Sequence, residues 1–150
     1  MPAAATSISL EEYRRLVAGG AVPRVRASRQ SPEEQLHFAC FEWILLNQAR
    51  YPVLRWLIHV PNGGKRPRGE AGKMKAMGVR KGVLDFLLPF PHNGYTGLFV
   101  ELKADNNNLT PEQSEWKDKG DKEGYLTAVC WTLEEFMAVV LKFVEKRDAD

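Results

Sequence analysis

Near the C-terminus, Leu133, Phe136, Met137, Val140, Leu141 and Val144 fall at i, i+3, i+4, i+7, i+8 and i+11, one amphipathic helical stripe. Thr132, with Glu135 three residues on, supplies a capping signature ahead of it. The same logic opens a helix at Ser31, where Pro32 suits the first helical position and Glu34 can reach back to the cap. Leu36, Ala39, Cys40, Trp43 and Leu46 carry that helix to about Arg50. A further helix starts at Thr110, Pro111, Glu112 and Gln113 and runs through Trp116 to Gly120.

Between the helices the pattern changes. Residues 53–60 read as a strand closed by Pro61, Asn62, Gly63 and Gly64, a strong turn signal. Residues 83–88 read as a second strand, ended by Pro89 and Pro91, and residues 97–103 as a third, so these two suggest a hairpin. Residues 125–131 give a fourth strand. The order α-β-β-β-α-β-α describes an α/β domain, a small mixed β-sheet flanked by helices. Residues 1–30 read as a loosely attached N-terminal arm. It holds a short helix between the capping pattern of Ser9 to Glu12 and Gly19-Gly20, then a linker bearing Arg24, Arg26 and Arg29. Residues 31–150 form the domain proper, and its length suffices for one hydrophobic core.

Net charge is only +2, but its distribution is uneven. Lys65, Arg66, Arg68, Lys73, Lys75, Arg80 and Lys81 face a single acid, Glu70, in one stretch expected to be loop with a short helical piece. Such a stretch can meet a polyanion even on a nearly neutral chain. Cys40 and Cys130 stand far apart among apolar residues and read as core. Trp43, Trp56, Trp116 and Trp131 also read as core. His59 reads as a satisfied core histidine and His92 as a turn residue, neither having a partner at ligand spacing. No cationic apolar leader opens the chain, and no apolar run approaches the ~20 residues of a membrane helix. The expectation is a cytoplasmic protein of phage or bacterial type with no membrane partner.

The chemistry concentrates on two apolar strands. Asp85 lies within Val83 to Leu88, where a lone carboxylate is unfavourable unless paired. Glu101 and Lys103 project from one face of their strand because side chains alternate. If the strands are neighbours, one register brings Asp85 beside Glu101. Two close carboxylates repel, and a divalent cation such as Mg²⁺ or Mn²⁺ relieves this. That grouping suits phosphodiester hydrolysis. Lys103 would orient or deprotonate a water, or stabilise the transition state. A surface ion pair between Glu101 and Lys103, with a solvated Asp85, is the plain alternative.

Asp…Glu-x-Lys on adjacent strands resembles the PD-(D/E)xK nuclease superfamily. The runs Pro61 to Arg66, Lys75 to Asp85, Gly97 to Lys103 and Leu109 to Trp116 resemble the VRR-NUC (virus-type replication-repair nuclease) family, a likeness covering roughly Ser31 to Val144. The resemblance implies a restriction-endonuclease-like fold and a DNA endonuclease leaving a 5′-phosphate and a 3′-hydroxyl. It implies Asp85, Glu101 and the backbone carbonyl of Leu102 as metal ligands and Lys103 as the catalytic lysine. Glu33 matches a glutamate of the first core helix and would join the metal site, His37 stands where the family has glutamine, and Gln113 matches a glutamine of the later helix that would orient the lysine or water. Small members resemble junction-cleaving homodimers, so branched DNA such as a four-way junction is the implied substrate.

Two departures stand out. Leu84 replaces the usual proline before the aspartate, and His37 would make contacts sensitive to pH. Glu33 has a second explanation in the helix dipole, and Gln113 in the cap. Asn62, Lys65, Arg66, Arg68, Lys73 and Lys75 are the expected DNA contacts, with a plain turn and a solvated loop as the alternatives. A non-catalytic nucleic-acid-binding module retaining this fold is the main rival reading; a structural protein with fortuitous motifs is the third.

Overall fold

The computed structural model describes residues 8–19, 30–62 and 66–145. Its elements are α1 (Leu10–Ala18), α2 (Pro32–Asn47), a 3-10 turn (Pro52–Trp56), β1 (Ile58–His59), α3 (Arg68–Ala76), β2 (Phe86–Leu88), β3 (Leu98–Leu102), α4 (Pro111–Lys122), β4 (Leu126–Cys130) and α5 (Leu133–Val144). The expected mixed sheet is present, in the order β1-β2-β3-β4. β1 with β2 and β2 with β3 run antiparallel, whereas β3 and β4 run parallel and are joined through α4.

Period-two alternation sorts the helices onto two faces. Phe86 and Val100 are register partners. Phe86 packs on Phe136 of α5, which in turn meets Trp43 of α2 edge-on. Phe99 faces the other way, towards Trp116 of α4, with Gly120 of α4 close above Thr127. β3 is buried along its whole length because β2 and β4 flank it and helices cover both faces.

The helix starts follow the capping logic. Ser31 accepts from the Glu34 amide at 3.2 Å, and Glu34 accepts from the Ser31 amide at 2.8 Å. Thr110 and Gln113 repeat the arrangement. Several expectations need correction. Residues 53–60 are not one strand: Pro52 lacks an amide hydrogen and fixes its φ, a tight turn follows, and only Ile58–His59 pair. Leu54 and Leu57, three residues apart, both turn inward, which is the spacing of a 3-10 turn. The second strand starts at Phe86, after a bend at Asp85. Of the tryptophans only Trp43 is fully buried; Trp56 is 56% exposed and packs on Phe90. α1 is docked rather than trailing: Tyr13 is buried in the core and donates to Glu42 of α2 at 2.8 Å. The linker with Arg24, Arg26 and Arg29 lies outside the described residues. Cys40 and Cys130 are free and buried, as expected.

Candidate active site

The register Phe86↔Val100, continued by one residue, sets Asp85 opposite Glu101. The two residues grip each other's strands. Glu101 Oε2 accepts from the Asp85 amide at 3.2 Å, and Asp85 Oδ2 accepts from the Leu102 amide at 2.8 Å. Glu101 Oε1 takes two further donors, Lys103 Nζ at 3.1 Å and Gln113 Nε2 at 2.6 Å. Glu101 and Lys103 are 2% and 8% exposed, so this is a buried ion pair and not a surface one. Gln113 serves the cap and the carboxylate together: its Oε1 accepts from the Thr110 amide at 2.9 Å.

Burial dominates the electrostatics. It pushes Glu101 up to about 7; the nearby Asp85 charge adds to this, while Lys103 opposes it. Burial also raises Asp85, against the pull of the Leu102 amide, and the Glu33 charge on α2 pushes the same way. Asp85 thus lies within electrostatic reach of both Glu33 and Glu101, with the Lys103 ammonium beside them. That is a donor set short of positive charge, and oxygen donors of this kind suit Mg²⁺ or Mn²⁺.

Two histidines complete the surroundings. His37, one helical turn after Glu33, stacks on Phe86 with ring centres 4.5 Å apart and meets His59 edge-on at 4.2 Å. Burial, helped by His59, lowers His37 to about 4, so the expected sensitivity of this residue to pH falls well below neutrality. His59 is exposed at the sheet edge, not a core histidine. Its Nδ1 lies 3.0 Å from the Asp85 carbonyl oxygen, which can only accept, so Nδ1 carries the proton. One ligand atom each from His37, His59 and Asp85 lie within 4.8 Å of one another. Sequence spacing missed His59 because its partners come from α2 and from the chain just before β2. The useful signal was its register pairing with Phe86, next to Asp85.

The basic stretch divides. Asn62 is spent on the fold, donating to the carbonyls of Arg80 at 2.8 Å and Val83 at 3.3 Å. Arg66 donates to Pro61 O at 3.1 Å and to Met74 Sδ. Arg68, Lys73 and Lys75 lie exposed on α3. Lys65 falls outside the described residues. A cleft of about 1030 Å³ between the α3 region and α4 is lined by Arg66, Lys75, Arg80, Lys81, Glu112 and Trp116 among others, and does not include Asp85, Glu101 or Lys103. Arg80, Lys81 and Trp116 were not among the expected contacts. Trp116, read as core, is half-buried and donates to Lys81 O at 3.2 Å.

The family profile of the VRR-NUC domain matches residues 32–132. The chain belongs to the VRR-NUC domain family. A solved structure described as a VRR_NUC domain protein aligns with a TM-score of 0.63 at 25% identity, over 82% of this chain and 96% of its own. Comparison with curated proteins gives no significant match. The span assigned to the VRR-NUC domain runs from the start of α2 to the cap of α5, so it includes Glu33, Asp85, Glu101, Lys103 and Gln113. The family is one of nucleases. Among the described residues, no helix is long and apolar enough to cross a membrane.

Proposed function

We propose that this VRR-NUC domain is a divalent-metal-dependent DNA endonuclease that hydrolyses phosphodiester bonds, with branched DNA such as a four-way junction as its substrate. The observation that carries this reading is the cross-strand pair Asp85 and Glu101, with Lys103 and Gln113 both bound to Glu101. Asp85 and Glu101 would hold Mg²⁺ or Mn²⁺, with Glu33 and the Leu102 carbonyl as further oxygen donors. Such an ion supplies Lewis-acid charge and lowers the pKa of a bound water.

The chain's own groups do the rest. Gln113 fixes the Glu101 carboxylate by donating to one oxygen. Lys103 keeps an ammonium beside that carboxylate, placed to orient the attacking water or to meet charge growing on the phosphate. Arg66, Arg68, Lys73 and Lys75, with Lys65, would neutralise phosphates along the duplex arms. Hydrolysis leaves a 5′-phosphate and a 3′-hydroxyl. One domain offers one such centre, so paired cuts across a junction call for a homodimer.

The test is to incubate the purified protein with a four-way junction, a flap and plain duplex, in Mg²⁺, Mn²⁺ or chelator. Metal-dependent products, absent with Asp85→Asn or Glu101→Gln, are expected, with the junction cut fastest. Intact DNA in every lane would end the enzyme reading. Salt-sensitive binding without product would point to a module that binds without cutting.

A further inference from the structure

The oxygen-rich pair explains Asp85 and Glu101 but not why two imidazoles converge on the same aspartate. Their ligand atoms and that of Asp85 lie within 4.8 Å of one another. Ligands on one first-row ion sit about 2.0–2.2 Å from it, so two of them stand at most about 4.4 Å apart. The 4.8 Å bound stands close to that span, and His59 sits exposed at the edge strand, where an ion can reach it. The rings are also prepared as ligands. The Asp85 carbonyl takes the proton on His59 Nδ1, which leaves Nε2 bare in the neutral ring. That is the outer-shell arrangement that orients metal-binding histidines. His37 is held from behind by its stack on Phe86.

We propose that His37, His59 and Asp85 form a binding site for a first-row divalent transition-metal ion, of the class running from Mn²⁺ to Zn²⁺, which Mg²⁺ does not replace. Imidazole nitrogen favours these ions, whereas Mg²⁺ takes oxygen and keeps its waters. The site shares Asp85 with the carboxylate pair and so rests on the nuclease reading only for its catalytic meaning. With it, the domain distinguishes metals: the carboxylates accept either ion, and the histidines add affinity for one class alone.

The decisive measurement uses the full chain with no polyhistidine tag. The protein is loaded with Mn²⁺ and examined by electron spin-echo spectroscopy for nitrogen coupling, and Co²⁺ is titrated by visible absorption. Wild type should show directly bound histidine nitrogen. His59→Ala and His37→Gln should each weaken Co²⁺ binding by about tenfold or more, since loss of outer-shell partners alone costs about 10- to 100-fold. Glu101→Gln should keep the nitrogen signal. No nitrogen coupling in wild type, or Co²⁺ affinity unchanged in both histidine variants, overturns the proposal. Mg²⁺-supported cleavage without nitrogen coupling would sink this site and spare the nuclease; nitrogen coupling without cleavage in any metal would do the reverse. Should His37→Gln fail to fold, the exposed His59 and the wild-type spectrum still decide.

Discussion

Gln113 holds Glu101 and the start of α4 at once: its Nε2 donates to Glu101 Oε1 at 2.6 Å while its Oε1 accepts from the Thr110 amide at 2.9 Å. The helix cap and the carboxylate are therefore one hydrogen-bonded unit. An amide can do both jobs because its oxygen accepts and its nitrogen donates. A glutamate of the same length could serve only the cap.

Gln113→Glu should accordingly leave α4 capped and set a second carboxylate against Glu101. The expected result is a melting temperature within a few degrees of wild type below pH 5, with Glu101 titrating above its present value of about 7. Carboxyl-carbon NMR reads the titration directly. Gln113→Ala should lose both bonds, at about 1 kcal/mol each. An unchanged Glu101 titration in Gln113→Glu would mean that the 2.6 Å contact has no energetic weight.

Glu101 also sets a pH dependence of stability. Its ordinary value of 4.5 is raised to about 7 in the fold, so the native state binds more protons than the unfolded chain across that window. The stability this group contributes is complete below about 4.5 and is lost as pH rises towards about 7, at about 1.4 kcal/mol per unit of separation. Denaturant unfolding in chelator should show this decline. Glu101→Gln should remove this decline and be inactive. Divalent metal should stabilise wild type more at pH 8 than at pH 5.5, with apparent affinity falling about tenfold per pH unit below 7 as one proton is displaced. A flat wild-type profile would refute the assignment.

How much of this was legible in the residues follows from which signals are local. Capping patterns at Ser31, Thr110 and Thr132 are local, and all three helices start where they indicate. Asp85 opposite Glu101 needed only that two apolar strands pair as a hairpin. His59 was misplaced for the converse reason. Its meaning depends on α2 and on the chain before β2, which are distant in sequence, and an apolar run with a leading proline does not declare itself a turn. Asn62 was no more legible. A polar residue beside two glycines looks free for DNA, whereas its amide is taken by Arg80 and Val83 carbonyls eighteen and twenty-one residues on.

Those carbonyls belong to a loop that must pass close over α4, and Gly82 makes the passage possible. Its φ is +82°, and a Cβ there would stand 2.5 Å from the backbone and Cβ of Glu112. Neither atom is the end of a flexible chain. Gly82→Ala should therefore cost about 1–3 kcal/mol from the left-handed backbone alone, and more from the collision. Because Asp85 lies three residues on and Gln113 directly follows Glu112, metal affinity should fall with stability. Thermal melts with and without Mn²⁺ measure both losses. A variant as stable as wild type would show that the loop does not pack as described.

The basic residues should separate by what they already do. Arg68, Lys73 and Lys75 lie exposed on α3, so each is available to a phosphate, and removing one should lower the slope of log affinity against log salt by about 1. Arg66 differs, since its guanidinium is already bonded to Pro61 and Met74 and ties the start of the α3 region to the end of the β1 loop. Arg66→Ala should lower the melting temperature as well as the affinity. A triple Arg68→Ala, Lys73→Ala, Lys75→Ala variant should fold normally and bind a junction more weakly at every salt concentration, with a slope flatter by about 3. If that slope does not change, DNA lies elsewhere, and the cleft beside Arg80, Lys81 and Trp116 becomes the face to mutate.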